Sequence, residues 1–256
     1  MVLAIDIGNT NIVIGGFADG KVLFCERFQT NHKATRLEYA AIFKAAFDIH
    51  GVKRTDITGS ILSSVVPSVT NTVREAAEKY TGTQVLVVGP GIKTGIRIQV
   101  DNPAQLGSDL VVGAVAGAAE YPVPQIIVDM GTTTTVSVLD ASGTFIGKLI
   151  LPGVHVSLDA LISRTSQLPK ISLDPPKHLI GRNTIDSIKG GILYGNAGAI
   201  DGIIDRINEE MGTRCTVIAT GGLAGVITPL CRNEILLDDD LLLKGLMLLY
   251  ERNCTK

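Results

Sequence analysis

The sequence predicts a duplicated α/β protein, and three observations carry that expectation. Sliding the 256-residue chain over itself by 123 positions lays Ile5-Asp6-Ile7-Gly8-Asn9-Thr10 on Val128-Asp129-Met130-Gly131-Thr132-Thr133, with Val13 meeting Val136 and Gly20 meeting Gly143. Each copy then reads as a strand ending in Asp-x-Gly, a polar elbow, a second β-rich strand, a glycine turn (Ala18-Asp19-Gly20 or Ala141-Ser142-Gly143) and a third strand. After each of these hairpin pairs, amphipathic segments alternate with short apolar runs, which is the α/β pattern. The offset is close to half the chain, and it divides the sequence into residues 1–118 and 119–256.

In the first half, an amphipathic helix is expected from Leu37 to His50, a strand ending near Val65, a helix over Ser68–Tyr80 and a strand over Gln84–Val88. The stretch Val111–Ala119 is rich in small residues, which suits a helix packed closely against a neighbour in the chain or against a second copy. In the second half, a helix over Ser187–Met211 leads to a strand over Cys215–Ala219, the glycine break Gly221-Gly222 and a Leu-rich helix from Asp240 to about Arg252.

Composition removes several function classes. Lys and Arg total 23 against 25 Asp and Glu, so the chain lacks the basic excess of a nucleic-acid binder. With 45% hydrophobic and 19% charged residues it is expected to fold around a sizeable core. The first residues carry Asp6 and no basic n-region, and the apolar run Leu241–Leu249 is broken by Lys244 and too short to span a bilayer. A cytoplasmic protein with no membrane partner is expected. Cys25, Cys215, Cys231 and Cys254 form no C-x-x-C pair, and His32, His50, His155 and His178 form no H-E-x-x-H, so neither a disulfide framework nor a zinc hydrolase is indicated. No G-x-S-x-G nucleophile elbow occurs.

The two elbows carry the chemistry. Asp6-Ile7-Gly8-Asn9-Thr10-Asn11 supplies a carboxylate, a glycine and three polar side chains, and Asp129-Met130-Gly131-Thr132-Thr133-Thr134-Thr135 supplies a carboxylate, a glycine and four hydroxyls. Donors of this kind suit a phosphate tail, with glycine where the backbone must come close. Carboxylates beside phosphates repel them unless a cation intervenes, so magnesium is implied. Two such lobes facing each other across a cleft would suit a nucleotide.

The paired elbows resemble the phosphate-1 and phosphate-2 motifs of the superfamily that holds sugar kinases, acetate kinase, actin and the heat-shock ATPases. Gly221 and Gly222, within Val217-Ile218-Ala219-Thr220-Gly221-Gly222-Leu223-Ala224, resemble its adenosine motif. The resemblance implies two ribonuclease H-like (actin-like ATPase) domains facing a nucleotide cleft. A closer resemblance, to the type III pantothenate kinases, covers nearly the whole chain. It rests on Asp6-x-Gly8-Asn9-Thr10-Asn11, Val87-Val88-Gly89-Pro90-Gly91-x-Lys93-Thr94-Gly95, Asp101-Asn102-Pro103, Gly107-x-Asp109, Asp129-x-Gly131-Thr132-x-Thr134-Thr135, Pro152-Gly153, Leu168-Pro169, Gly181-x-Asn183-Thr184 and Thr220-Gly221-Gly222.

That family resemblance implies transfer of the ATP γ-phosphate to the 4′-hydroxyl of pantothenate, the first step of coenzyme A synthesis. It further implies magnesium, a monovalent cation (K+ or NH4+), and a homodimer with the acceptor site near the subunit interface. By the same match Asp109 is the catalytic base, and Asp6 organises Mg2+ through water. Gly8, Asn9, Thr10, Asn11, Gly131, Thr132 and Thr133 cradle the phosphates, Gly221 and Gly222 meet the nucleoside, and Asp129 holds the monovalent cation. Val100, Gly107, Ser108, Asp109, Leu110 and Thr184 fall at acceptor positions. From the residues alone, Asp109 could instead cap a helix ahead of Leu110-Val111-Val112, and Thr184 could cap one beginning near Ile185.

The chain departs from the family pattern on the acceptor side. The family usually has Gly-Ala-Asp-Arg where Gly107-Ser108-Asp109-Leu110 stands, Tyr where Val100 stands and an acid where Ser137 stands. An arginine able to bind an anionic acceptor is thus absent at position 110, with Lys93, Arg97, Arg164 and Arg182 as possible substitutes. Alternatives are therefore a kinase of the same fold with a different hydroxyl acceptor, a nucleotide-binding regulator, and an actin-like filament former.

Overall fold

The computed structural model describes residues 1–18 and 20–254; Asp19 of the first hairpin turn lies outside the described residues. Contacts divide the chain into two compact units. The first holds residues 1–96, 101–119 and the stretch from Asp240; the second holds Arg97–Val100 and Glu120–Asp239.

In the first unit β1 (Val2–Ile7), β2 (Asn11–Ala18) and β3 (Lys21–Gln29) form an antiparallel meander, followed by α1 (Arg36–Ile49), β4 (Gly59–Ser64), α2 (Pro67–Thr81), β5 (Val85–Val87) and α3 (Ser108–Glu120). The sheet order is β3-β2-β1-β4-β5, with β4 and β5 parallel to β1. The helices α1 and α2 press Tyr39, Phe43, Phe47, Val69 and Val73 onto Leu3, Ile5 and Ile7 of one sheet face. A Thr35–Glu38 capping box starts α1, and Gly82, at φ +75, ends α2 in the left-handed conformation that glycine tolerates.

In the second unit β6 (Gln125–Met130), β7 (Thr133–Leu139) and β8 (Phe145–Pro152) repeat the meander. They are followed by α4 (Val154–Ser163), the 28-residue α5 (Thr184–Met211), β9 (Thr216–Thr220), the short α6 (Ala224–Ile227) and β10 (Leu236–Leu237). The sheet reads β8-β7-β6-β9-β10, the order of the first sheet strand for strand. Ile126, Val128 and Met130 of β6 pack on Leu193, Ala197, Ile200 and Ile204 of α5. The duplicated α/β fold expected from the repeat is therefore the fold observed, and the helical and strand segments foreseen are all present. The sequence reading did not include α4 or β10.

Two features differ from the sequence expectation. The last helix, α7 (Leu241–Cys254), groups with the first unit rather than with residues 119–239. Its Leu243 lies on Gly15 of β2, and Gly245 lies against the backbone of Val112 in α3. Of the small residues of α3, Gly113 in turn meets Leu242 of α7. Residues 97–100 in turn join the second unit, because Phe145 donates its N–H to the Arg97 carbonyl (2.8 Å) and accepts from Gln99 (2.8 Å).

The second difference is in the repeat itself, which slips by one residue inside the elbow. Asp6 faces Val13 across β1 and β2, whereas Asp129 faces Thr135 across β6 and β7, so the counterpart of Val13 is Thr135, not Val136. The Gly8 N–H closes its turn on the Asn11 carbonyl (2.9 Å), while the Gly131 N–H closes on Thr133 (3.1 Å), one residue sooner. Burial follows the shorter offset: Ile12 and Ile14 are buried, as are Thr134 and Val136. The lost residue is regained in the hairpin turns, where Gly20 (φ +73) and Gly143 (φ +75) again stand 123 apart.

Candidate active site

The first elbow is held from below. Asn9 and Thr10 are exposed at its tip, with Gly8 and Asn11 half-buried at its base. Thr30, just past β3, donates its hydroxyl to the Gly8 carbonyl (2.6 Å) and its N–H to the Thr10 carbonyl (2.9 Å). The next residue, Asn31, is fixed by the buried Tyr39 of α1, whose hydroxyl donates to the Asn31 carbonyl (2.8 Å) and accepts from its N–H (3.1 Å). The polar tip is therefore presented on a preformed backbone. Neither Thr30 nor Tyr39 stood out in the sequence, because nothing local marks a residue that acts across a hairpin.

Asp6 lies beside the elbow, 9% exposed, on the sheet face opposite α1 and α2. Its register neighbour on β4 is Ser63. Ser63 shares a hydrogen bond with the Ser108 hydroxyl (2.9 Å), and Asp109 follows in the first turn of α3. A Cβ at Gly107 would meet Asp109 Oδ1, so a larger residue there would displace the carboxylate. That oxygen accepts the Leu110 N–H at 2.8 Å. Asp109 is the second residue of the helix and does not occupy its capping position. The first unit thus gathers Asp6, the residues Gly8 to Asn11 and Asp109 at the carboxyl ends of β1 and β4.

Two residues expected to touch the acceptor serve the fold instead. Leu110 is buried at 8% exposure, and the Ser108 hydroxyl is spent on Ser63 and Ser64. Val100 belongs to the second unit, two residues after Ile98, which bridges Phe145 at the start of β8.

The second unit gathers its own set. Asp129, the penultimate residue of β6, lies between Thr135 and Thr220 of the neighbouring strands. Gly131, Thr132 and Thr133 are exposed at the elbow, and Gly222 is exposed after β9. Gly221, at φ +96, lies against Asp129 Oδ1 and the Met130 backbone. Gly153, which caps α4, lies on the Gly131 and Thr132 carbonyls so tightly that a Cβ would collide with them. The Pro152-Gly153 pair was visible in the sequence, but its supporting role under the elbow was not.

Thr184 stands elsewhere in this unit, at the first position of α5, with Asn183 as the cap (Asn183 Oδ1 accepts the Asp186 N–H at 2.9 Å). It lines an open groove of about 680 Å³ with Arg182, Ser187, Leu161, Leu168 and Ile188. The loop forming one wall is strapped to α5. Lys189 bonds Asp174 at 2.7 Å, and the Leu179 carbonyl packs where Gly190 has no side chain. The Lys189 ammonium, with the Ser172 hydroxyl, lowers the Asp174 carboxyl to about 2. Among the described residues no helix is long and apolar enough to cross a membrane, and no group of three or more His, Cys, Asp or Glu side chains could hold a metal.

Comparison with known proteins gives relatives by fold and by sequence. Solved structures of similar fold include a putative Baf family transcriptional activator from Campylobacter jejuni (TM-score 0.60, 15% identity, 97% of both chains). A putative 2-dehydro-3-deoxygalactonokinase from Sinorhizobium meliloti aligns with TM-score 0.59 and 11% identity over 100% of this chain and 98% of that one. At these identities they show the fold alone, that of the actin-like ATPases and sugar kinases. Closer in sequence are type III pantothenate kinases from Bacillus cytotoxicus, 43% identical over 99% of this chain and 97% of that protein, and from Moorella thermoacetica, 43% identical over 99% and 100%. The model of the type III pantothenate kinase family matches residues 2–206, and with two elbows on duplicated sheets and a whole-length match to these relatives, the chain belongs to that family.

Proposed function

We propose that this protein is an ATP-dependent pantothenate kinase, forming 4′-phosphopantothenate in the first step of coenzyme A synthesis. The observation that carries the reading is the placement of Asp109 and Asp6 at the carboxyl ends of the central strands of the first sheet, linked through Ser63 and Ser108. A primary alcohol is a poor nucleophile at neutral pH, so phosphoryl transfer calls for a carboxylate to take its proton and for charge neutralisation on the phosphates.

Asp109 is that base. Its carboxylate accepts the hydroxyl proton as the oxygen attacks the γ-phosphorus and the bond to the ADP oxygen breaks. In each unit the exposed side chains of the elbow, Asn9 and Thr10 in the first and Thr132 and Thr133 in the second, would hold phosphate oxygens. Gly8 and Gly131 set the turns, and Gly221 and Gly222 would lie under a nucleoside. The donor set fits the implied cations: Asp6 offers one carboxylate beside the elbow, as Mg2+ shared with phosphates needs, and Asp129 would hold a monovalent cation, K+ or NH4+. Bound there, such cations neutralise charge that builds on the transferring group.

The groove at the start of α5 supports the acceptor site. Arg182 offers a cation for a carboxylate, Thr184 and Ser187 offer hydroxyls, and Leu161, Leu168 and Ile188 offer apolar contact for a branched body. Arg182 is the cation this groove offers in a chain whose position 110 is apolar. Exposed apolar side chains on this unit, among them Ile150, Leu179, Ile180 and Ile185, support a homodimer. A cytoplasmic location suits a substrate and product of this pathway.

The test is turnover of purified protein with Mg2+, ATP and pantothenate, in K+ and then in Na+, with product identified by mass. Potassium-dependent 4′-phosphopantothenate, lost in Asp109→Asn, is the expected result. No product from a preparation that still binds ATP would overturn the assignment.

A further inference from the structure

We infer that Ser108 is a positioning residue for the catalytic base: its hydroxyl takes over the sheet ladder where β5 ends and so locks the first turn of α3, and with it Asp109, to the strand ends that carry Asp6. The inference rests on the reading of Asp109 as the base.

The ladder itself calls for such a group. Alternate residues of a parallel strand present both backbone groups to the same neighbour. Leu62 of β4 bonds toward β5, with its carbonyl accepting the Val88 N–H at 2.8 Å, so Ser64 presents its own N–H and carbonyl to the same side. By then β5 has ended at Val87, and the chain leaves at Gly89-Pro90, where proline has no N–H to offer. Ser108 fills the place. Its Oγ accepts the Ser64 N–H at 3.1 Å and donates to the Ser64 carbonyl at 2.9 Å. A hydroxyl has one proton and two lone pairs, so its remaining lone pair accepts from Ser63 Oγ at 2.9 Å. All three capacities are used, and the group has none left for a ligand.

The geometric consequence is specific. Ser63 and Asp6 are register partners on adjacent strands, so their α-carbons are about 4.8 Å apart. Ser108 is one hydrogen bond from Ser63, and Asp109 is the next residue. An alanine at 108 would leave two backbone groups of Ser64 unpaired at the end of β4 and free the helix start to shift. A base displaced by about 1 Å loses on the order of 10- to 100-fold in rate while substrate binding is spared.

The experiment compares Ser108→Ala, Ser108→Thr, Ser63→Ala and Asp109→Asn in steady-state kinetics, with kcat expressed per ATP-binding site titrated in each preparation. Ser108→Ala is expected to lower kcat about 10- to 100-fold with both KM values near wild type, and Ser108→Thr, which keeps the hydroxyl, to restore it. Ser63→Ala removes one bond of three and is expected to give a smaller loss in the same direction. It also stands as the reporter if Ser108→Ala does not fold. Wild-type kcat in Ser108→Ala, or in Ser63→Ala where that is the reporter, overturns the inference. So does a loss that Ser108→Thr fails to restore, or one carried in KM. Full turnover in Asp109→Asn would instead overturn the reading of Asp109 as base, a result distinct from either.

Discussion

Gly221 closes over Asp129: a Cβ at position 221 would stand 2.6 Å from Asp129 Oδ1 and 2.7 Å from the Met130 backbone nitrogen. The residue also has φ +96, where side chains other than glycine are strained. Gly221→Ala is therefore expected to cost at least about 1–3 kcal/mol and to weaken ATP binding through the displaced carboxylate. Denaturant midpoints and ATP KM check it, and unchanged values in both would show that the turn relaxes without consequence.

Asp6 is buried beside the first elbow and is proposed to hold magnesium through water. Asp6→Asn keeps the shape and removes the charge. Groups in the outer shell of a metal are worth about 10- to 100-fold in its affinity, so the Mg2+ concentration for half-maximal rate is expected to rise by that factor. A magnesium titration at saturating ATP measures it; an unshifted curve removes Asp6 from the metal site.

The Lys189–Asp174 bond straps one wall of the α5 groove. Lys189→Ala is expected to raise the KM for pantothenate about two- to fivefold, leave the KM for ATP unchanged, and matter less at high salt. The acid dependence follows from the Asp174 carboxyl, held at about 2 against an ordinary 3.8. A depressed carboxyl contributes order above its ordinary value and loses it as pH falls toward the folded one. Hydrogen exchange of residues 164–183 should be insensitive to this pair from pH 5 upward and loosen between about pH 4 and 2 in the wild type only. Equal acid loosening in Lys189→Ala would contradict the strap.

Gly245 of α7 meets the Val112 carbonyl oxygen of α3 with no room for a Cβ, whereas Gly198 of α5 has open space around its α-carbon. Gly245→Ala is expected to destabilise by about 1–3 kcal/mol. Gly198→Ala, which only improves helix propensity, is expected to stabilise by about 0.5–1 kcal/mol. Opposite signs in thermal unfolding would show that close packing decides the first case and backbone freedom the second.

What was readable in the sequence was local or periodic. The Asp-x-Gly elbows announce themselves because turn chemistry needs particular residues within a few positions, and the helices α1, α2 and α5 show in apolar spacing. The family resemblance could be read from motif order alone. Tertiary structure decided what no window of residues contains. The repeat slips by one at Gly131–Thr133 because ladder register is set by the partner strand, and an ungapped offset cannot register a turn one residue shorter. The α7 helix returns to the first sheet because its small and leucine residues fit α3 and β2, a choice among apolar surfaces that composition does not make. Ser108 looked like an acceptor contact from its place in Gly107-Ser108-Asp109. Its hydroxyl belongs to Ser63 and Ser64, more than forty positions earlier, because an ended strand leaves backbone groups that only a residue brought there by the fold can satisfy.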